Sequence, residues 1–280
     1  MKLIYTILEV MVSVVCALVV ALIIIPLHLM FTPLARRQKL QTSDRPLDNA
    51  IDNGITLILA RIVTLLPDYL TLLKKLEVGV FFFCWRSHRE AKAMPAHQAR
   101  LCGSLADTLK EQALSEYNHA QVFCQLTGSK LNMSGAGLMS REEKAAFDWG
   151  CVNWDSSGES YQVDGMSTRY LAAKIFFGFR TANSYDWCDR LAFMYVLEEL
   201  QALFYKHLLR FVEPEVREQL ALIAEHEETH AINLSGLLWG IKGVGGSAKV
   251  VFWWQVRKYL AMTLLPIDTA IYYLLKYSKL

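Results

Sequence analysis

The chain lacks the markers of several common classes. Its six cysteines, Cys16, Cys84, Cys102, Cys124, Cys151 and Cys188, include no C-x-x-C pair. That argues against a disulfide framework and a thiolate zinc site, and it fits a reducing compartment. The net charge is only +2, so no basic surface for nucleic acid is indicated. There is no internal repeat, no sustained alternation that would mark strands, and no motif for binding flavin or nicotinamide. Apolar residues, in contrast, are plentiful: 53% of the 280 are hydrophobic, enough for one medium domain with appendages or two small ones. The expected fold class is all-α.

The apolar residues are unevenly placed. From Leu3 to Phe31 the chain is almost wholly apolar, and at about 1.5 Å per helical residue such a run spans a bilayer. It ends in FTPLARRQK, where Arg36, Arg37 and Lys39 outweigh the single Lys2 in front. The positive-inside rule then predicts one uncleaved anchor over 1–39, with the rest of the chain on the cytoplasmic side. Residues 40–67 read as a polar linker, to about Asn53, followed by an apolar helix lying on the membrane or against the rest of the protein. Residues 68–240 hold four long helical patterns. The first ends before Pro95, the second stops at Gly128, the third is DWCDRLAFMYVLEELQALFYKHLLRF, and the fourth opens at Pro214 and runs to about Trp239. A Gly- and Ser-rich segment, 129–167, interrupts them as a long insertion with one short helical stretch. The tail, 241–280, is apolar, aromatic and basic again, and Trp253, Trp254, Arg257 and Lys258 are expected at a membrane interface or, alternatively, packed against the bundle.

In LALIAEHEETHAINL the residues Leu220, Ile223, Glu227, His230 and Leu234 share one helical face. A carboxylate and an imidazole therefore stand inside an apolar stripe. The second helix repeats the arrangement with Leu105, Leu109, Gln112, Glu116, His119, Phe123 and Leu126. Sixteen glutamates and seven histidines would give about 0.4 E-x-x-H pairs by chance; here there are two, both in phase with an apolar stripe. An unpaired charge in a core is costly. Residues at i and i+3 point the same way, so one helix can offer a carboxylate and an imidazole to the same metal ion.

A two-metal site of this kind needs one further carboxylate from each of two other helices. In antiparallel neighbours, equal distances from the connecting turn lie at one level. Glu116 is about twenty residues past the turn near Pro95 and Glu77 about eighteen before it. Glu77 also shares a stripe with Leu70, Leu73, Phe81 and Cys84, whereas Glu90 sits too near the helix end. Glu227, about thirteen residues past Pro214, calls for a carboxylate near 199–201, and LEEL offers two. Glu198 shares a face with Leu191, Met194, Ala202, Tyr205 and Leu209, while Glu199 faces with Lys206 and Arg210. The stripe favours Glu198 and leaves Glu199 outside the ligands or behind them. His88, on the Glu77 face, Tyr205, on the Glu198 face, and His226, off the stripe, are further candidates to support the ligands from behind. No catalytic role is assigned beyond the ligands.

Glu77, then Glu116-x-x-His119, then Glu198, then Glu227-x-x-His230 resembles the ligand order of the ferritin-like di-iron carboxylate superfamily, over roughly residues 68–240. The resemblance implies an antiparallel four-helix bundle around a dimetal centre. Glu77 and Glu198 would be terminal, Glu116 and Glu227 would bridge or chelate, and His119 and His230 would each bind one ion. Oxygen and nitrogen donors without thiolate suit iron or manganese, and the resemblance favours two iron ions, with manganese or a mixed pair as the alternative. The superfamily includes ferritins, rubrerythrins, ribonucleotide reductase radical subunits, aldehyde-deformylating enzymes and membrane-bound quinone hydroxylases, so it implies a centre and not one reaction. Joined to the predicted anchor, it gives the expectation of a membrane-bound non-haem di-iron oxidoreductase. Such an enzyme uses O2 to hydroxylate, desaturate or otherwise oxidise a lipophilic substrate, with electrons from an external donor. The alternatives are a ferritin-like or rubrerythrin-like iron-binding or peroxide-removing protein at the membrane, or a non-catalytic membrane scaffold.

Overall fold

The computed structural model describes residues 46–95, 104–134, 139–146, 152–154, 159–160, 171–262, 264–265 and 268. Helix α1 spans Pro46–Thr64 and α2 spans Tyr69–Lys92. Helix α3, Leu105–Thr127, ends where Gly128 takes φ 59°, a left-handed turn that glycine adopts without steric cost. Helix α6, Trp187–Leu208, begins at Asp186, whose side chain accepts from the Asp189 amide at 2.9 Å, satisfying one of the free donors of the first turn. Helix α7, Pro214–Met262, starts on a proline as the sequence predicts and contains one break, at Gly243 (φ 67°, ψ 170°). Two short helices, α4 (Arg141–Ala146) and α5 (Leu171–Phe176), lie between α3 and α6.

One expected boundary needs correction. The linker expected up to Asn53 is helical from Pro46, with proline at the first helical position where its missing N–H costs nothing. The fourth pattern leaves helical geometry at Gly243, inside GIKGVGG just past Trp239, as expected; the chain then resumes as helix to Met262, and the Ser247 hydroxyl spans the break to Leu238 O (3.1 Å) and Gly243 O (2.7 Å). The insertion also departs from all-α. Strands β1 (Leu131–Ser134), β2 (Val152–Trp154) and β3 (Glu159–Ser160) form a small parallel sheet in the order β2-β1-β3. Leu131, Met139 and Val152 are buried in the main core, which is what anchors so short a sheet.

Helix α2 packs on α3 and α6 on α7, with α7 also against α3 and α1 along α6. The buried residues fall into two apolar clusters. One holds Val78, Phe81, Leu109, Leu191, Phe193, Leu234 and Leu238; the other holds Leu73, Phe123, Tyr205, Leu208, Leu220 and Ile223. Along the chain α2 and α7 pass from the second cluster to the first, while α3 and α6 pass the other way. Between the clusters each of these four helices brings one or two of the residues Glu77, Glu116, His119, Glu198, Glu227 and His230, all buried.

The end of α7 is part of this core. Trp254 is buried against Phe176, Phe177, Tyr185 and Phe193, its Nε1 donating to Asp189 Oδ1 at 2.8 Å. Lys258 is buried too, its Nζ 2.6 Å from Asp52 Oδ2 on α1. Of the four residues expected at a membrane interface, only Trp253 is exposed, and Arg257 lies over the Trp254 ring at 4.7 Å. No helix among the described residues is long and apolar enough to cross a membrane; the predicted anchor, 1–39, lies outside them.

Candidate metal centre

The 3-4 spacing that put Glu116 and His119, and Glu227 and His230, on core-facing stripes brings both pairs to one level. Antiparallel packing adds Glu77 from α2 and Glu198 from α6. The six side chains make two overlapping groups, Glu77, Glu116, His119, Glu227 and Glu116, Glu198, Glu227, His230, with the facing atoms of each group within 4.8 Å of one another. Both imidazoles turn Nδ1 inward. His119 Nδ1 lies 3.2 Å from Glu77 Oε2, 3.5 Å from Glu116 Oε2 and 3.4 Å from Glu227 Oε1. His230 Nδ1 lies 3.3 Å from Glu116 Oε1, 3.6 Å from Glu198 Oε2 and 3.2 Å from Glu227 Oε2. Glu116 and Glu227 each present one oxygen to each ring.

This is an electrostatically open arrangement. Four carboxylates face two imidazoles, so with all four ionised negative charge remains in surplus even when both rings are protonated. Both oxygens of Glu116, Oε2 of Glu198 and Oε1 of Glu227 are buried without a hydrogen bond among the described residues; the rings approach them at 3.3–3.6 Å but off line. Orphaned carboxylate oxygens are among the costliest groups a core can hold. A cation answers both the surplus and the orphans, and the donor set of oxygens and imidazole nitrogens fits iron or manganese. The cluster is a buried carboxylate–histidine site able to hold metal.

Proton affinities show the same strain. Burial pushes the Glu77 carboxyl up to about 8, against the pull of His119. Burial and the Glu227 charge push Glu198 well above the carboxylate range. For Glu116 burial also pushes upward, but attraction to His119 and His230 prevails and holds it low; Glu227 is held low against burial by Glu198 and both rings. Burial disfavours the charged imidazoles, yet the surrounding carboxylates lift His119 well above its ordinary value and His230 to about 12.

Several residues hold the six in place. The Tyr205 hydroxyl donates to Glu77 Oε1. Gln112 Nε2 donates to Glu198 Oε1 at 2.5 Å. His119 Nε2 meets His226 Nδ1 at 3.1 Å with the rings stacked; an outward Nε2–H donated to His226 leaves the inward Nδ1 to face the cluster. Burial and the neighbouring His119 and His230 keep His226 itself below the ordinary imidazole value. Tyr205 and His226 thus touch the cluster residues. Glu199 accepts from Tyr195 and, at 3.3 Å, from Gln255. His88 instead places Nδ1 2.7 Å from Ala106 O, pinning α2 to α3. Glu90, the rival to Glu77, is bound by Arg190 and Arg86 at the helix end.

Sequence reasoning left Gln112 unassigned although it stood in the stripe, where an uncharged polar residue is itself a signal. It also passed over Cys84, whose thiol is raised well above its usual value by burial and then by Glu116, Glu198 and Glu227, which places it close to the cluster.

One pocket reaches the site. It lies between α3 and α7, encloses about 220 Å³, and is lined by Thr108, Glu111, Gln112, Ser115, His226, Thr229, His230 and Asn233. Every lining residue is polar. No protein-family model, curated protein or solved structure matches the chain, so the argument for function rests on this geometry.

Proposed function

We propose that the chain is a ferritin-like four-helix-bundle protein whose buried cluster is a two-metal centre, and that it is a membrane-attached di-iron oxidoreductase using O2 to oxidise a lipophilic molecule. The observation that supports it most directly is the sharing of Glu116 and Glu227, each with one oxygen toward His119 and the other toward His230. Glu77 with His119 would hold one ion and Glu198 with His230 a second, with Glu116 and Glu227 available to both. Iron(II) held there supplies electrons for O2 reduction coupled to oxidation of a C–H bond, the balance of electrons coming from a separate donor. The residues of the chain orient and insulate. Tyr205 fixes Glu77, Gln112 fixes Glu198, and His226 fixes the ring of His119. The two apolar clusters on either side exclude water, which strengthens every charge interaction inside. The lipophilic substrate, the membrane anchor over 1–39 and the cytoplasmic placement are drawn from the apolar N-terminal run and the basic residues that follow it.

A second reading, peroxide removal or iron handling at the membrane, is favoured by the polar lining of the pocket beside His230, which suits a small hydrophilic reactant better than a lipid chain.

The deciding measurement is metal content per chain in detergent-purified protein, beside Glu116→Ala and His230→Ala. The expected outcome is about two iron or manganese ions in the wild type, with both variants depleted and both still attached to membranes. A wild type that takes up none, even after anaerobic iron(II) loading, would leave the scaffold reading in place of the metal centre.

A further inference from the structure

Five of the six cluster residues are almost completely shielded: Glu77, Glu116 and Glu227 are 0% exposed, His119 and Glu198 2%. His230, at 8%, is the most open, and it opens on the α3–α7 pocket. The pocket grades from outside to inside. Glu111, His226, Thr229 and Asn233 are exposed, Thr108 and Ser115 half-buried, Gln112 and His230 buried. His226 is stacked on His119, and the Ser115 hydroxyl lies 3.4 Å from His119 Nε2. The lining therefore offers a carboxylate, an imidazole, a hydroxyl and an amide at the rim, two hydroxyls midway, and the Gln112 amide and His230 imidazole beside the cluster.

We propose that this pocket is the port through which hydrated divalent cations reach the cluster. The inference rests on the metal-centre reading and adds the route. Three properties carry it. The volume, about 220 Å³, corresponds to about seven waters at ~30 Å³ each, room for one ion with its inner hydration shell and too little for a lipid tail. The hydroxyl, amide and imidazole groups replace shell waters one at a time, so the ion is never stripped at a single step. The Glu111 carboxylate at the rim attracts cations and turns anions away.

The test is the rate of cobalt(II) uptake by the metal-free full-length protein, followed by visible absorption, with ions per chain measured at the end. Thr229→Phe and Asn233→Phe place bulk in the pocket from exposed positions of α7. Each is expected to slow uptake by about tenfold or more, the size of change expected when an electrostatically focused cleft is closed, while the final ions per chain equal the wild type. Thr229→Ser, which keeps the hydroxyl and adds no bulk, loads as the wild type does. Glu111→Gln slows uptake several-fold at low ionic strength and little at high salt. Plugged variants loading as fast as the wild type to the same stoichiometry would overturn the port and leave the metal centre standing; a wild type binding no ion would overturn both. Should a plug lower the final stoichiometry, the Glu111→Gln rate decides, and no change there overturns the port.

Discussion

Two buried charge systems in this protein are built on opposite plans. Lys258 and Asp52 form a charge-balanced, closed pair, Nζ 2.6 Å from Oδ2, with side chains 1% and 6% exposed and the ammonium also 4.7 Å from the Tyr259 ring centroid, Asp52 Oδ1 alone lacking a hydrogen bond among the described residues. The cluster around Glu116 and Glu227 is open, with four carboxylates on two imidazoles and four oxygens lacking hydrogen bonds. A closed pair repays its desolvation with its own partner and ties α1 to α7. An open set cannot, and a core of apolar residues would be cheaper to fold. That a fold nevertheless keeps it points to a cation as the missing partner.

The largest effect expected is in the closed system. Lys258→Met leaves the Asp52 carboxylate buried without its ammonium and should cost about 3–5 kcal/mol, read as a lowered unfolding midpoint by circular dichroism. Adding Asp52→Leu should recover most of it, since an apolar pair of similar volume replaces a buried ion pair at little cost. Ions per chain should be unaltered in both variants. A Lys258→Met protein that lost metal in step with stability would show that the two systems are one.

The contrast explains what the sequence disclosed. The ligand level was legible because helical periodicity and turn distances are local quantities: Glu227 and His230 interrupt an apolar stripe, and equal arms from Pro95 and Pro214 place Glu77 and Glu198 opposite the motifs. The choice of Glu198 over Glu199 followed from the same face argument, and Glu198 is the one that faces Glu116, Glu227 and His230. The Lys258–Asp52 pair was not legible. Its members are 206 residues apart, and a lysine beside Trp253 and Trp254 reads as interfacial until the Gly243 turn lays that segment against α6. The parallel sheet of the insertion was hidden because its strands, two to four residues long, carry no detectable alternation.

Titration should sharpen the contrast next. In the metal-free protein Glu77 rises from an ordinary 4.5 to about 8, so between those values the folded state holds a proton that the unfolded state has lost, and stability falls as pH rises through that window. His230, raised from 6.5 to about 12, contributes fully below 6.5 and continues the decline above it. Glu116 and Glu227, held low, act oppositely: their contribution is present above 4.5 and lost in acid. Bound cations displace the inward protons, so metal-loaded protein should lose much of the downward slope, and metal affinity should rise with pH. Unfolding midpoints taken from about pH 5 to about pH 8.5, with and without metal, check this. Parallel curves for the two forms would mean that the ions do not occupy the cluster.

The smallest effect on folding should come from Glu198→Gln, and there the smallness is informative. Burial and the Glu227 charge raise the Glu198 carboxyl well above its usual range, which favours its protonated form in metal-free protein, and an amide of the same shape replaces that form closely. Gln112 still has a carbonyl oxygen to donate to. Metal-free stability should therefore stay within about 0.5 kcal/mol of the wild type. Metal binding should not be spared. The ion on the His230 side loses the one carboxylate that is its own, while Glu77, Glu116, His119 and Glu227 remain for the other, so the content should fall from about two ions per chain to about one. A stability loss of several kcal/mol would mean that Glu198 is ionised and paired like Asp52. Retention of both ions would mean that the His230 side does not need it.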